Sequence, residues 1–132
     1  PEHQIYLADT LGELGTFYRL SPLAFIGGSL IEHGGQNPIE AVKLGCVCLT
    51  GPHWENFKDT FGALIEGGAA REVKSEGELA EVFAKLSQDE ALLREMQTRA
   101  EKVLAEMGGA LERTLTHVES YLGAERRLDR AS

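Results

Sequence analysis

Short apolar runs alternate with helix-like segments along the first half of the chain. The runs are four or five residues long, which suits buried strands: residues 5–8, 23–26, 46–50 and 69–73. The segments between them repeat apolar residues at the spacing of one helix face, as in Leu14, Phe17 and Tyr18, or Phe57, Phe61, Leu64 and Ile65. Strands that alternate with helices predict a parallel sheet with right-handed crossovers.

The second half of the chain is patterned for helices alone. Two capping boxes are expected to open helices, Ser75-x-x-Glu78 and Ser87-x-x-Glu90. Gly108-Gly109 predicts a break in the second of these helices, and a final helix is expected from Leu111 to Leu122.

These patterns together predict an α/β fold, a partial Rossmann-like parallel sheet followed by C-terminal helices. Three parts are expected: a βα nucleotide-binding core over residues 1–74, C-terminal helices of the same domain over residues 75–124, and a flexible tail over residues 125–132.

One segment, residues 23–41, arranges three local signals in an order that favours a ligand site. A strand ends at glycines, Gly34-Gly35 permits a close approach of the backbone, and Pro38 suits the first position of a helix. Asn37 is a favourable N-cap residue, and Glu40 follows it by three positions. A strand, a glycine loop and a helix N-terminus form an anion site, but the same residues also suit a cap that binds nothing.

Three turns are expected at one edge of the predicted sheet. They are residues 9–13, 27–40 and 51–56, and each follows an apolar run. Because ligands bind beyond the carboxyl ends of strands in open parallel sheets, the three turns are expected to converge on one ligand. The helix starts near Leu11 and Pro38 are therefore predicted to lie at the same edge.

Composition narrows the classes of partner. The formal net charge of −8 argues against nonspecific binding to nucleic acid and against adhesion to anionic lipid. The hydrophobic content of 42% suits a soluble globular domain, and no apolar stretch approaches the length of a membrane span.

The cysteines and histidines indicate structural roles. Cys46 and Cys48 are two residues apart on an apolar strand, so they are predicted to share one face as buried, reduced thiols, which fits a cytosolic compartment. His33, His53 and His117 have no carboxylates at ligand spacing, so no metal site is predicted.

Four motifs in order then resemble a known family. They are Asp9-Thr10-Leu11-Gly12-Glu13-Leu14, Phe25-Ile26-Gly27-Gly28-Ser29-Leu30, Gly34-Gly35-Gln36-Asn37-Pro38-Ile39-Glu40, and Gly51-Pro52-His53 with Asn56-Phe57. In this order and spacing they resemble the C-terminal part of the 3-deoxy-D-manno-octulosonic acid (Kdo) transferases of lipopolysaccharide biosynthesis. The resemblance extends to about Leu122 and implies the last part of the second Rossmann-like domain of a longer GT-B glycosyltransferase.

The resemblance implies a site for the sugar nucleotide CMP-Kdo. The residues that match nucleotide-contacting positions are Leu11, Gly12, Glu13, Asn37, Pro38, Ile39 and Glu40, with Glu40 on the ribose hydroxyls or, alternatively, only a helix cap. A weaker match places the donor phosphate or sugar at Ser29, Gly34, Gly35 and Gln36, the last of which stands where many relatives carry histidine.

The resemblance also implies what the chain lacks. The family's catalytic base is a glutamate of the N-terminal domain, so no catalytic residue is assigned here and the chain alone is expected to be inactive. No cofactor is implied. The full-length enzyme is expected at the cytoplasmic face of the bacterial inner membrane, where it transfers Kdo to a lipid A precursor.

Two other functions remain open at this stage. One is another GT-B transferase that uses a UDP-sugar, and the other is a noncatalytic module whose C-terminal helices bind a partner. If the first strands of the domain are absent from the chain, strand 5–8 is expected to have a free apolar edge, which predicts self-association into a homodimer.

Overall fold

A three-stranded parallel sheet lies at the centre of the structure. The computed structural model describes residues 4–128, and the surroundings of their side chains as far as residue 116. The strands are β1 (Leu23–Ile26), β2 (Val47–Thr50) and β3 (Ala70–Glu72), in the spatial order β1-β2-β3. This α/β architecture with a parallel sheet and C-terminal helices confirms the predicted fold class.

Helices surround this sheet on both faces. In the part of the chain that the structure describes, they are α1 (Leu14–Leu20), α2 (Ile39–Lys43), a 3₁₀ turn at Glu55–Phe57, α3 (Lys58–Glu66), α4 (Glu76–Gln88) and α5 (Glu90–Leu128). The capping box predicted for α4 is confirmed, since the Ser75 hydroxyl accepts a hydrogen bond from the Glu78 N–H at 3.2 Å.

Successive residues of the central strand face two separate cores. Cys48 packs with residues of α2 and α3, whereas Val47 and Leu49 pack with residues of α4 and the start of α5. This alternation follows from the two-residue period of a strand. Since helices cover both faces, all four residues of β2 are buried.

Helix α5 contributes to both cores and lies along the amino ends of the strands. Leu93 and Met96 pack on the α4 face, and Ala100 packs on the α2–α3 face. Between these contacts, the Gln97 side-chain N–H donates to the Gly45 carbonyl at 2.6 Å, in the turn that precedes β2. The opposite edge, at the carboxyl ends, is formed by the loops that follow β1 and β2.

The predicted strand at residues 5–8 is wrong. This segment is irregular, and Ile5, Tyr6 and Leu7 are 87%, 78% and 81% exposed. An apolar run becomes a strand only where a neighbouring strand supplies hydrogen bonds, and none of the described strands pairs with it. Among the described residues, the apolar edge of the sheet is therefore β1 itself.

The predicted helix break at Gly108-Gly109 is also wrong, because α5 continues to Leu128. Neither glycine has the positive φ of a helix-ending residue. The helix extends past the boundary expected at residue 124, and residues 129–132 of the predicted tail lie outside the described part.

Asp89, rather than Ser87, caps the start of α5. The Asp89 carboxylate accepts from the Leu92 N–H at 2.9 Å, while the Ser87 hydroxyl donates to the Phe83 carbonyl at 2.8 Å. The hydroxyl of Ser87 is therefore used at the end of α4, which explains why the predicted second capping box does not form.

The two cysteines share one face of the sheet, as predicted, and both thiols are buried. Cys46 Sγ lies 3.1 Å from the Tyr18 carbonyl and 3.0 Å from the Ser21 carbonyl. Pro22 cannot donate to Tyr18 because it has no N–H, so the thiol replaces that missing helix hydrogen bond. Burial raises the pKa of the Cys46 thiol and raises that of Cys48 to about 12.

The raised thiol pKa of Cys48 predicts a loss of stability in alkali. The unfolded thiol titrates near its ordinary value of 9.0, so the folded protein holds its proton more tightly. This contribution is complete below pH 9 and falls as pH rises towards 12, by up to about 1.4 kcal/mol per pH unit. Urea unfolding of the wild type and of Cys48→Ala between pH 8 and 10.5 measures it.

The wild type is expected to lose its stability advantage over Cys48→Ala as pH rises. The comparison cancels the titration of the lysines and of the tyrosines whose pKa does not depend on Cys48, which both proteins share. A pH-independent difference between the two free energies of unfolding contradicts this prediction.

Candidate functional site

An open groove of about 580 Å³ lies between α1 and α2. Its walls are Gly12, Gly15, Thr16, Arg19, Asn37, Ile39, Glu40, Lys43 and Leu44. In each helix these positions are three or four residues apart, so they lie on the two facing helix surfaces. Gly12 and Asn37, which precede α1 and α2, both line the groove, whereas none of the described strands precedes α1. That the two helix N-termini share one edge of the sheet stays a prediction.

Four of the predicted nucleotide residues line the groove: Gly12, Asn37, Ile39 and Glu40. The other three are placed differently. Leu11 is fully exposed, Pro38 is fully buried, and the Glu13 carboxylate accepts a hydrogen bond from the Thr10 hydroxyl. The sequence thus located the groove, but it did not separate the lining residues from their neighbours.

Asn37 performs the capping role that competes with ligand binding. Its side-chain oxygen accepts from the Ile39 N–H at 3.0 Å, at the start of α2. The carboxylate of Glu40, in contrast, is exposed and forms no hydrogen bond or ion pair with the described residues. Its oxygens are therefore available to hydroxyl donors in the groove.

The groove combines charges of both signs. Arg19 and Lys43 stand one helical turn beyond Gly15 and Glu40 along the two walls. Burial raises the pKa of the neighbouring Tyr18 phenol, and negative charge at Cys48, Glu40 or Cys46 adds to the shift. Such a groove can accept hydrogen bonds from a diol at the carboxylate and attract an anion at the two cations.

The glycine loop after β1 is held by backbone hydrogen bonds. The Gly35 N–H donates to the Gly28 carbonyl at 3.0 Å, and the Asn56 N–H donates to Gly34 at 3.2 Å. Both Gly34 and Gly35 are buried and have positive φ angles of 88° and 77°. A Cβ on Gly34 would lie 2.3 Å from the Asn56 side-chain nitrogen, so this position requires glycine for space as well.

Ser29 joins the ends of two strands rather than facing the surface. Its hydroxyl donates to the Ile26 carbonyl at 2.6 Å and accepts from the Gly51 N–H at 2.8 Å, and its side chain is fully buried. Gln36, the last residue predicted for this loop, is exposed. Within the predicted donor loop, Gln36 is thus the side chain that solvent reaches.

A second, smaller cavity of about 420 Å³ lies between the loops that follow β1 and β2. It is lined by Glu32, His33, Gly34, His53, Glu55 and Asn56. His53 Nδ1 lies 3.4 Å from the Glu55 carboxylate, at the surface. Among the side chains that the structure describes, which end at residue 116, no three of His, Cys, Asp or Glu are grouped as metal ligands, and the side chain of His117 lies outside this set.

Trp54 is a packing residue. Its ring lies 6.2 Å from that of Phe61, and its indole N–H donates to the Glu72 carboxylate at 2.8 Å.

Within the described part, the helices include none with the length and apolar character of a membrane span.

Five lining residues were not predicted: Gly15, Thr16, Arg19, Lys43 and Leu44. Each lies on a helix face that a predicted residue already occupies. The signal that finds them is helical spacing, since positions three or four after Gly12, Gly15 and Glu40 point the same way. Motif matching stops at the helix starts and therefore misses the rest of the groove.

Comparison with known proteins gives matches to one type of enzyme. The 3-deoxy-D-manno-octulosonic acid transferase of Haemophilus influenzae is 38% identical over 125 residues, which cover 90% of this chain and 28% of that protein. The enzyme of the same name from Bordetella pertussis is 36% identical over 123 residues, or 93% of this chain and 29% of that protein. No family model matches the chain.

The fold is similar to that of a solved structure. That structure is the crystal structure of the C-terminal CMP-Kdo binding domain of WaaA from Acinetobacter baumannii, with a TM-score of 0.71 and 35% identity over 76% of this chain and 53% of that one. The chain thus spans less than a third of the curated relatives it matches and about half of that domain. The resemblance to the C-terminal part of the Kdo transferases is confirmed in both sequence and fold.

The buried hydroxyl of Ser29 predicts a structural role that a substitution can measure. Ser29→Ala leaves a buried carbonyl and a buried N–H without their partner, which is expected to lower the free energy of unfolding by about 1–3 kcal/mol. Ser87→Ala is the control, because the Ser87 hydroxyl is exposed and a change below about 0.5 kcal/mol is expected. Equal urea midpoints for the two variants contradict the prediction.

Proposed function

We propose that this chain, similar in sequence and fold to the C-terminal part of the Kdo transferases, is the CMP-Kdo-binding portion of such an enzyme. The observation that carries the proposal is the groove between α1 and α2, which gathers Gly12, Asn37, Ile39 and Glu40 in one place. These residues belong to two motifs far apart in sequence, so their meeting at a single groove supports a shared ligand.

The chemistry of the groove supports a nucleoside monophosphate. Glu40 has free carboxylate oxygens, and a carboxylate can accept two hydrogen bonds from the adjacent hydroxyls of a ribose. Arg19 and Lys43 supply positive charge on the same walls, which suits a phosphate. Gly12 leaves open space at the mouth of the groove, where a base can approach the backbone.

The glycine loop is proposed to contact the phosphate or sugar of the donor. Gly35 donates to Gly28 within the same loop and Gly34 accepts from Asn56 of the loop after β2, while Gln36 presents its side chain to solvent beside them. Ser29 supports this loop from the core. Its proposed role is therefore to shape the loop.

The complete enzyme is proposed to transfer Kdo from CMP-Kdo to a lipid A precursor during lipopolysaccharide biosynthesis, at the cytoplasmic face of the bacterial inner membrane. The catalytic base and the acceptor surface are assigned to other parts of that enzyme. This assignment implies that the present chain alone transfers no Kdo. It binds the donor without a metal or another cofactor.

Replacing Glu40 by Gln tests the nucleotide proposal. The variant is expected to bind CMP about 10–100-fold more weakly, the effect of losing hydrogen bonds to a charged group. Stability is expected to change little, because Asn37 rather than Glu40 caps α2. A CMP titration followed by NMR, together with a thermal melt, measures both quantities.

The matched control is Glu66→Gln, which removes the same charge from an exposed position in α3 outside the groove. Unchanged CMP affinity in Glu40→Gln rejects the ribose role. Stronger binding of UDP than of CMP by the wild type favours the alternative of a UDP-sugar transferase, and the absence of binding to either nucleotide favours the interaction module.

Self-association of the isolated chain is proposed to occur through β1. This strand is wholly apolar (Leu23-Ala24-Phe25-Ile26) and pairs on one side only among the described residues, whereas the other edge, β3, carries Arg71 and Glu72. Charged residues protect an edge from pairing, and apolar ones do not. The expected assembly is a symmetric dimer.

Light scattering over a concentration series is expected to show the mass of a dimer at high concentration. Hydrogen exchange at the amides of β1 should slow as the dimer forms, while exchange in β3 stays constant. A monomer at every concentration, or protection of β3 instead, contradicts the assignment to β1.

A further inference from the structure

Gly15 stands where α1 faces α2 in the groove. A Cβ built on this glycine would lie 3.3 Å from Glu40 Oε1 and 3.4 Å from Leu44 Cδ1. Ordinary van der Waals contacts between such atoms begin near 3.4 Å or beyond, so the missing side chain leaves only enough room for the carboxylate. The Glu40 carboxylate therefore lies beside Gly15, in the space that a larger side chain would enter.

Backbone conformation does not explain this glycine. Gly12, Gly28, Gly34 and Gly35 have positive φ angles. Gly15 does not have a positive φ angle and lies within α1. Glycine is also a poor helix former compared with alanine. Glycine is thus more favourable than alanine at this position because it leaves space beside the Glu40 side chain.

No other contact fixes the carboxylate in the described structure. Glu40 is exposed, and neither a hydrogen bond nor an ion pair joins its oxygens to the described residues. Arg19, the cation beside Gly15, lies with its guanidinium 3.9 Å from the position of the added Cβ and is not paired with Glu40. The space left at Gly15 consequently limits the positions that are open to the Glu40 side chain.

We infer that Gly15 is a positioning residue, which sets the carboxylate of Glu40 for the hydroxyls of the bound nucleotide. The inference rests on the proposed CMP site. It adds Gly15 to that site as a residue that acts through Glu40 and does not itself bind the nucleotide. An alanine methyl pushes Oε1 away by a few tenths of an ångström, which is inexpensive for an exposed side chain but spoils a two-point hydrogen-bond geometry.

The test is a double-mutant cycle with CMP as the probe, on the 132-residue chain. The proteins are the wild type, Gly15→Ala, Glu40→Gln and the double variant. Gly15→Ala is expected to weaken CMP binding about five- to tenfold, within the range for a hydrogen bond to a charged group. In the Glu40→Gln background the same substitution is expected to have almost no further effect.

Gly62→Ala is the matched control. Gly62 lies within α3, and a Cβ added there meets nothing within 4 Å. Both substitutions replace a helical glycine by alanine, so neither is expected to lower the melting temperature. Only Gly15→Ala is expected to change the CMP affinity, and only it should shift the side-chain carboxyl resonance of Glu40 in the ligand-free protein.

The outcomes separate this inference from the proposed function. If Glu40→Gln weakens CMP binding but Gly15→Ala does not, the positioning role is overturned and the nucleotide site stands. Equal losses from Gly15→Ala in both backgrounds overturn it too, because Gly15 then acts independently of Glu40. If the wild type does not bind CMP, the proposed function fails and the positioning role fails with it.

Discussion

The burial of β2 on both faces is the constraint on which the rest of the structure depends. Its alternate residues belong to two cores that helices cover from opposite sides, and its backbone pairs with β1 and β3. Hydrophobic burial on both faces requires an apolar strand, and Cys46-Val47-Cys48-Leu49 supplies it. Once β2 is central, the loops that follow β1 and β2 emerge together at one edge.

Hydrogen bonds and close contacts at the ends of the strands connect the sheet to the elements around the groove. Ser29 links the carboxyl end of β1 to the backbone at the end of β2, and Gly51 has no room for a side chain because a Cβ would lie 2.1 Å from the Ser29 carbonyl. The Cys46 thiol similarly joins the start of β2 to the end of α1. The wall helices α1 and α2 are short, so these contacts with the sheet hold them in place.

The sequence predicted the features that depend on local chemistry. The parallel sheet, the capping of α4 by Ser75, the shared face of the cysteines and the meeting of Gly12 with Glu40 all follow from spacing or from turn residues. The capping and cysteine signals involve residues within about one turn or one strand of each other, whereas the sheet and the groove were predicted from the order of such local signals along the chain. The resemblance of four ordered motifs then indicated the type of ligand.

Features decided by competition between distant groups could not be predicted this way. Residues 5–8 have the composition of a strand, but a strand needs a partner, and β1 does not pair with them. Gly108-Gly109 disfavours a helix locally, yet α5 continues through it. The position of Glu40 against Gly15 likewise depends on how two helices pack, which no single helix encodes.

The placement of α5 across both cores has a consequence for synthesis of the chain. Leu93 completes one core and Ala100 the other, and both lie well after β3 in sequence. As the ribosome releases the chain from its N-terminus, β1, β2 and β3 emerge while each face of the sheet still lacks its α5 contacts. The nascent sheet therefore exposes apolar surface on both sides until α5 leaves the exit tunnel.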